Sequence, residues 1–342
     1  MAKARTPISS AGNSLARADG DDRVARGGSA GAYLEGLIRR LPRTPWRTRF
    51  APAPTGALHL GHLVNAMHVW GIARAFGGSV VLRIEDHDRQ RCQPAFEREL
   101  LDDLEWLGFD ADVAPIQSYR DAATRHPFRQ SDNAPRYASR LQHLSEQGLV
   151  FACDCSRRMI AAAIAREDEG ETRYPGTCRL RGVDPRAVHG RRVRMNPGLE
   201  TFHDLRLGAL AQDPAAQCGD VLIRDRHGCW TYQFAVTVDD MAQDIDVIIR
   251  GEDLLASTAR QQRIARLLGR QSMPLVLHHP LLRHADGAKL SKARRDTSLR
   301  ERREDGARPE QLLGEAAFLV GLQSSAASLS AADVPALFAR AL

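Results

Sequence analysis

Arg49-Phe-Ala-Pro-Ala-Pro-Thr-Gly-Ala-Leu-His-Leu-Gly-His62 decides how this 342-residue chain is read. Its apolar start, its turn residues at Pro52, Pro54 and Gly56, and the helical periodicity from Leu58 predict strand, loop, then helix. His59, Gly61 and His62 then fall at a helix N-terminus, where backbone N–H groups and the positive dipole end favour an anion. Gly61 withholds a side chain where a flat ring or a phosphate would approach, and the two histidines supply donors beside it. A proline-rich turn capping an ordinary helix is the plainer alternative.

Outward from that stretch, Leu60, Leu63, Val64, Met67, Ile72 and Phe76 continue the helix as far as Gly77-Gly78. Residues 79–84 are an apolar run suited to a buried parallel strand, ending in Glu85-Asp86-His87-Asp88. A helix is predicted from Pro94 to Leu107, another from Gln130 through Leu144. Further on, Tyr232 opens a segment leading to the pair Asp239-Asp240. Residues 245–249 form a second buried run, ending in Arg250-Gly-Glu-Asp253, and Ser257 is placed to cap the next helix. Strands alternating with helices, with polar residues at strand ends, predict an α/β fold with a Rossmann-like doubly wound parallel sheet. Glu85 and Arg250 stand where such folds hold ligands, and Arg250 suits a bidentate carboxylate or phosphate clamp.

The net charge of +6 is uneven, because residues 1–48 carry nine basic side chains and four acidic ones. The rest of the chain is close to neutral, so an RNA site there is a local patch rather than a global field. No apolar run is long enough to span a bilayer and the N-terminus has no signal-peptide core, so a cytoplasmic protein is expected. Residues 1–45, rich in Ala, Gly, Ser and Arg, read as a disordered extension. Of 48 basic residues only Lys3, Lys289 and Lys292 are lysines. The last two, in Lys289-Leu-Ser-Lys292-Ala293, suit a task needing a compact, mobile ammonium, such as following a moving phosphate.

Six cysteines in such a chain read as thiols or metal ligands rather than disulfides. Cys153-Asp-Cys155, followed by Cys178 after the turn Tyr174-Pro-Gly, has the spacing of a small zinc knuckle. Three cysteines leave one ligand short; Tyr174, a histidine such as His189, or water are the candidates. Three buried thiols in a loop-rich insertion are the alternative.

Taken in order, Arg49-Phe-Ala-Pro-Ala-Pro-Thr-Gly, His59-Leu-Gly-His62, Arg83-Ile-Glu-Asp-His-Asp88, Tyr232, Val247-Ile-Ile-Arg250-Gly-Glu and Lys289-Leu-Ser-Lys-Ala293 resemble the class I aminoacyl-tRNA synthetases of the glutamyl type. The blocks at 59–62 and 289–293 correspond to that class's HIGH and KMSKS signatures, and the resemblance spans about residues 46–322. Within the group it is nearest to paralogues that lack a separate anticodon-binding domain; fifty residues after Lys292 leave no room for one.

That resemblance implies a ligase that activates L-glutamate with ATP and Mg²⁺, without tRNA, and transfers it to the queuosine base at the wobble position of tRNA(Asp). The alternatives are a truncated glutamyl-tRNA synthetase charging a tRNA 3′ end, or a non-catalytic tRNA-binding paralogue. It assigns His59, Gly61, His62 and Lys292 to ATP, with Lys289 assisting. Arg49, Ala51, Ala53, Glu85, Tyr232 and Arg250 fall to glutamate, and Cys153, Cys155, Tyr174 and Cys178 to one structural Zn²⁺. Ala53 stands where the group usually has serine. A monomer is expected, divided into a first catalytic half at 46–148, an inserted zinc-binding subdomain at 149–218, a second half at 219–280, and a lysine-motif loop with C-terminal helices at 281–342.

Overall fold

The structure is a computed structural model and describes residues 16–17, 37–43, 45–122, 125–163, 173–184, 186, 189–282 and 298–339. In chain order its strands are β1 (Ala16–Arg17), β2 (Trp46–Phe50), β3 (Gly78–Leu82), β4 (Val150–Cys153) and β5 (Gly190–Val193), then β6 (Glu200–Asp204), β7 (Gly208–Gln212), β8 (Val221–Arg224), β9 (Val247–Gly251) and β10 (Leu275–His279). β2 and β3 pair in parallel, with Arg49 opposite Val81, and helix Leu60–Ala75 crosses between them. β9 and β10 repeat the arrangement across helix Thr258–Leu267, with Arg250 opposite His278. The two units meet edge to edge where the Asp246 N–H donates to the Arg47 carbonyl at 2.9 Å. β6 joins β10 in parallel and β7 turns back beside β6, extended by β1 at the far edge. The Rossmann-like parallel α/β sheet is therefore present.

β4, β5 and β8 form a separate antiparallel sheet. β6 and β7, between β5 and β8 in sequence, belong to the parallel sheet, so the chain leaves the small sheet and returns to it. The back of the small sheet is apolar: Val193, Met195 and Ile223 pack with Tyr137 and Phe234 from helices Ala134–Glu146 and Tyr232–Ala242.

Helix Leu60–Ala75 is buried on most of its circumference, which obliges other elements to cover it. Helices Pro309–Leu319 and Val334–Ala339 do so. The approach is close at Gly71, where a Cβ would lie 2.3 Å from the Phe338 ring.

Two local expectations change. Residues 130–133 are a 3₁₀ turn, and the α-helix begins only at Ala134, where Pro135 occupies the first turn and loses no helical hydrogen bond. Ser257 precedes helix Thr258–Leu267, but its hydroxyl makes no cap and accepts from Gln233 Nε2 at 2.9 Å. Lys289 and Lys292 lie outside the described residues, as do residues 1–15, 18–36 and 44 of the N-terminal extension. Its described part departs from the expected disorder, with Ala16–Arg17 paired to β7 and helix Leu37–Arg40 burying Leu37 in the main core.

Candidate active site

The 51–59 loop carries the chain from the carboxyl end of β2 to the start of helix Leu60–Ala75. Here both signature histidines bend back on the backbone. His59 Nδ1 accepts from the Gly61 N–H at 3.0 Å, and His62 Nδ1 accepts from the His59 N–H at 3.2 Å, closing a reciprocal capping box. An Nδ1 that accepts leaves the ring proton of a neutral imidazole on Nε2. Each histidine is thus oriented as an Nε2–H donor, with ring centroids 4.0 Å apart. Gly61 proves necessary for a different reason than open space for a ligand: a Cβ there would meet His59 Cε1 at 2.9 Å. The glycine makes room for the histidine.

These residues line a cleft of about 390 Å³, within the size range of small-molecule sites. Ala53 and Thr55 of the loop, Asn65 one turn on, and Arg250, His279 and Leu282 across the sheet complete its wall. Ala53 offers only a methyl to it, and Ala51 sits half-buried at the start of the same loop.

Below the cleft lies a buried charged cluster. Arg83, fully buried, donates to Asp240 Oδ1 at 2.7 Å, to Gln243 Oε1 at 2.9 Å and to Glu85 Oε1 at 3.0 Å. Arg49 Nε reaches the same Asp240 oxygen at 3.1 Å, and its Nη1 donates to the Ile249 carbonyl at 3.4 Å. Burial alone would push the Asp240 carboxyl up, but the Arg49 and Arg83 guanidinium groups outweigh it and hold it below the usual carboxylate range. Desolvation works against the Arg83 charge, and Asp240 and Glu85 overcome it. Two arginines face two carboxylates here, so the cluster is internally balanced.

Arg250 differs. It is 3% exposed, and its hydrogen bonds run to neutral acceptors: His278 Nε2 at 3.1 Å, Gln261 Oε1 at 2.7 Å and Thr258 Oγ1 at 2.7 Å. Tyr232, at the start of helix Tyr232–Ala242, pairs with both Arg250 and Gln261, and burial raises its phenol. Desolvation lowers the Arg250 guanidinium, with Tyr232 opposing and Arg49 adding to the drop. Asp240 supports the Arg250 charge from a distance, but no carboxylate is among these hydrogen-bond partners, and burial still outweighs that support. The guanidinium is built to receive a carboxylate or a phosphate.

Asp240, Arg83, His278 and Asp204 were not singled out as site residues from sequence. Asp239 is equally buried and accepts from Tyr137 at 2.6 Å, Gln130 at 2.9 Å and Arg136 at 2.9 Å. The adjacent aspartates on a segment reading as apolar were the one available signal.

At the end of β4, the sulfurs of Cys153, Cys155 and Cys178 lie within 4.8 Å of one another. The Tyr174 hydroxyl is 3.5 Å from Cys153 Sγ and accepts from the Cys178 N–H at 2.8 Å. His189 contributes its carbonyl to Arg191. Burial and then the Cys178 and Cys153 sulfurs push the Cys155 thiol up to about 12. Burial opposes ionisation of Cys153 as well, but hydrogen bonds with Tyr174 and Arg192 outweigh it and lower that thiol. Three sulfurs this close, one of them favoured as a thiolate, fit a soft divalent cation.

A family model described as tRNA synthetases class I (E and Q), catalytic domain, matches residues 45–329. The glutamyl-Q tRNA(Asp) synthetase of Ralstonia nicotianae is 40% identical over 312 residues, covering 87% of this chain and 93% of that protein. Glutamate--tRNA ligase 2 of Syntrophus aciditrophicus is 39% identical over 284 residues, which is 80% of this chain but 57% of that protein. Among solved structures, the glutamate tRNA ligase of Elizabethkingia meningosepticum in complex with its amino acid superposes with a TM-score of 0.67 at 26% identity. That match covers 80% of this chain and 60% of the other, so the chain spans about three fifths of that structure's length. Histidines turned into a cleft at a helix start, strand-end arginines beneath them and these matches agree: the chain belongs to the class I tRNA synthetase (E and Q) catalytic-domain family.

Proposed function

We propose that this protein is a ligase that joins L-glutamate to ATP as glutamyl-adenylate, without tRNA, and transfers the glutamate to the queuosine base at the wobble position of tRNA(Asp). Its match to the Ralstonia nicotianae relative runs over nearly the whole of that protein, which favours this reading over a truncated tRNA 3′-end ligase. The observation that carries the first step is Arg250, a buried cation with neutral partners on the wall of the histidine cleft.

In this reading the glutamate carboxylates meet Arg250 and Arg49, its ammonium meets Glu85, and Tyr232 hydrogen-bonds beside them. Ala53 lets the amino acid pass close to the loop. His59 and His62 donate Nε2–H to the ATP phosphates, Gly61 keeping them in place. An oxygen of the glutamate α-carboxylate attacks the α-phosphorus in line and pyrophosphate departs. The chain contributes position and charge rather than covalent chemistry. Lys292, with Lys289 beside it, follows the departing β- and γ-phosphates, and Mg²⁺ accompanies ATP. A hydroxyl of the acceptor base then attacks the activated carbonyl and AMP leaves.

Cys153, Cys155, Cys178 and Tyr174 are assigned to one Zn²⁺, which would cross-link the end of β4 to the 174–178 turn. Residues 149–218 carry the inserted unit in this scheme, although β6 and β7 within that range pair into the parallel sheet and β8 beyond it completes the small one; 46–148 and 219–280 carry the catalytic halves. Residues 1–45 precede the catalytic body, and 281–342 carry the lysine loop and the closing helices. No described helix is long and apolar enough to cross a membrane; ATP and tRNA are cytoplasmic molecules, and a cytoplasmic monomer is the form proposed.

The test is glutamate-dependent exchange of pyrophosphate into ATP with no tRNA present. Exchange is expected, and Lys292→Ala is expected to slow it by about 10²-fold or more. Strict dependence on tRNA would refute the reading.

A further inference from the structure

Arg250 owes its orientation to a chain of buried groups spread over three adjacent strands. His278 lies opposite Arg250 in the β9–β10 register, and β6 runs on the other side of β10. Asp204, at the end of β6, is fully buried, as is His278. Asp204 Oδ2 accepts from the His278 N–H at 3.0 Å and lies 2.6 Å from His278 Nδ1. An ionised carboxylate only accepts, so Nδ1 carries the proton. His278 Nε2 then presents a lone pair to Arg250 Nε–H at 3.1 Å, with Thr258 Oγ1 also 3.1 Å away. We propose that Asp204 and His278 are positioning residues for the amino-acid site: Asp204 selects the Nδ1–H tautomer, and the resulting Nε2 lone pair aims the Arg250 guanidinium at the substrate carboxylate. The inference rests on the reading of Arg250 as a glutamate contact.

The arrangement works in only one protonation state. A proton on Nε2 would put an N–H against the Arg250 Nε–H and a positive charge beside a positive charge. The groups facing His278 decide where that happens. Asp204 favours the imidazolium; Arg250 on β9 and Arg206, which donates to the His278 carbonyl and is ion-paired with Glu252, oppose it. His279 beside it on β10 is itself held low, to about 4, by burial, and stacks on the buried His68. Burial contributes most to keeping His278 below its ordinary value, and the two arginines add to it, so the ring is neutral at physiological pH. Acidification should therefore weaken glutamate binding by turning the aim of Arg250.

The experiment is pyrophosphate exchange by the full chain, with glutamate and ATP varied separately. His278→Ala is expected to raise the glutamate KM by about tenfold or more, with the ATP KM held within about twofold. Asp204→Asn, which no longer enforces the tautomer, should raise the glutamate KM in the same direction. His278→Gln places a carbonyl oxygen near the Nε2 position, accepts from Arg250 and takes up no proton. It should keep the glutamate KM within about threefold, and that KM should rise less steeply than the parent's as pH falls below the ordinary imidazole range. A glutamate KM unchanged in His278→Ala, equal changes in both KM values, or an acid rise in His278→Gln as steep as the parent's would overturn the inference. Arg250→Gln separates the two layers. If it raises the glutamate KM while His278→Ala does not, the positioning role alone fails; if it leaves that KM unchanged, the glutamate reading of Arg250 fails and the inference with it.

Discussion

At the scale of single residues, the signature motif is a mutual fit rather than a set of independent ligands. Gly61 lets the His59 ring fold back onto its own helix start, and His62 caps the residue before that helix. A methyl at residue 61 normally favours a helix, by about 0.5–1 kcal/mol over glycine. Stability and activity should therefore part company in Gly61→Ala. Thermal unfolding is expected within a few degrees of the parent temperature, because the clash among the described residues is with the His59 side chain and the loss of its cap offsets the helix gain. Pyrophosphate exchange is expected to fall by about tenfold or more as His59 is displaced from the phosphate. A loss of folding with exchange per folded molecule intact would contradict that account. Contiguous motifs made His59, His62, Glu85 and Arg250 legible in sequence, and the structure sets His59, His62 and Arg250 on one cleft and Glu85 in the buried cluster beside it. Arg83, Asp240, Asp204 and His278 were missed as site residues because their partners are remote. Arg83 and Asp240 are 157 positions apart and Asp204 and His278 are 74 apart, so no local spacing records either pair.

Among the elements, the strand–helix–strand units were legible because buried parallel strands and crossover helices leave different apolar periods. β8 was not separable from the parallel strands by the same means. Its residues Val221-Leu-Ile-Arg224 read like another buried strand, and only pairing with β5 assigns it to the small sheet. The contact between helices Pro94–Leu107 and Leu299–Glu304 is a second feature that pattern alone does not reveal. Asp103 faces it, 2% exposed, and its Oδ2 has no hydrogen-bond partner among the described residues. Burial first, then Glu99, raise its carboxyl to about 7, against the pull of Arg303 and Arg300. The folded value lies above the unfolded one, so this carboxyl favours folding at low pH and that contribution is lost as pH rises towards 7. Asp103→Asn removes the ionisation. It should stabilise the protein by about 3 kcal/mol near pH 8, and the gain should fade towards about pH 4, measured by denaturant unfolding at both values. A gain independent of pH would mean that the ionised carboxylate is not the cause.

For the whole molecule, two sheets divide the labour. The parallel sheet gathers the cleft and the arginines at its strand ends, as such folds do. The small antiparallel sheet carries the cysteine cluster away from the cleft lining. If the cluster holds Zn²⁺, its removal should act on stability before chemistry. A chelator is expected to release about one equivalent of zinc and to lower the unfolding temperature by several degrees, while exchange at low temperature persists. Zinc-free protein with an unchanged unfolding temperature would leave the cysteines as buried thiols. The fold and the adenylation site are the parts most tightly tied together here, and the acceptor base is the claim that extends them furthest. It is tested most directly by supplying labelled glutamate, ATP and the full chain to tRNA from queuosine-containing and queuosine-lacking cells, then locating the label after nuclease digestion. Label on the wobble nucleotide of tRNA(Asp), present only with queuosine, is the predicted result; label at the 3′ end, independent of queuosine, would contradict it.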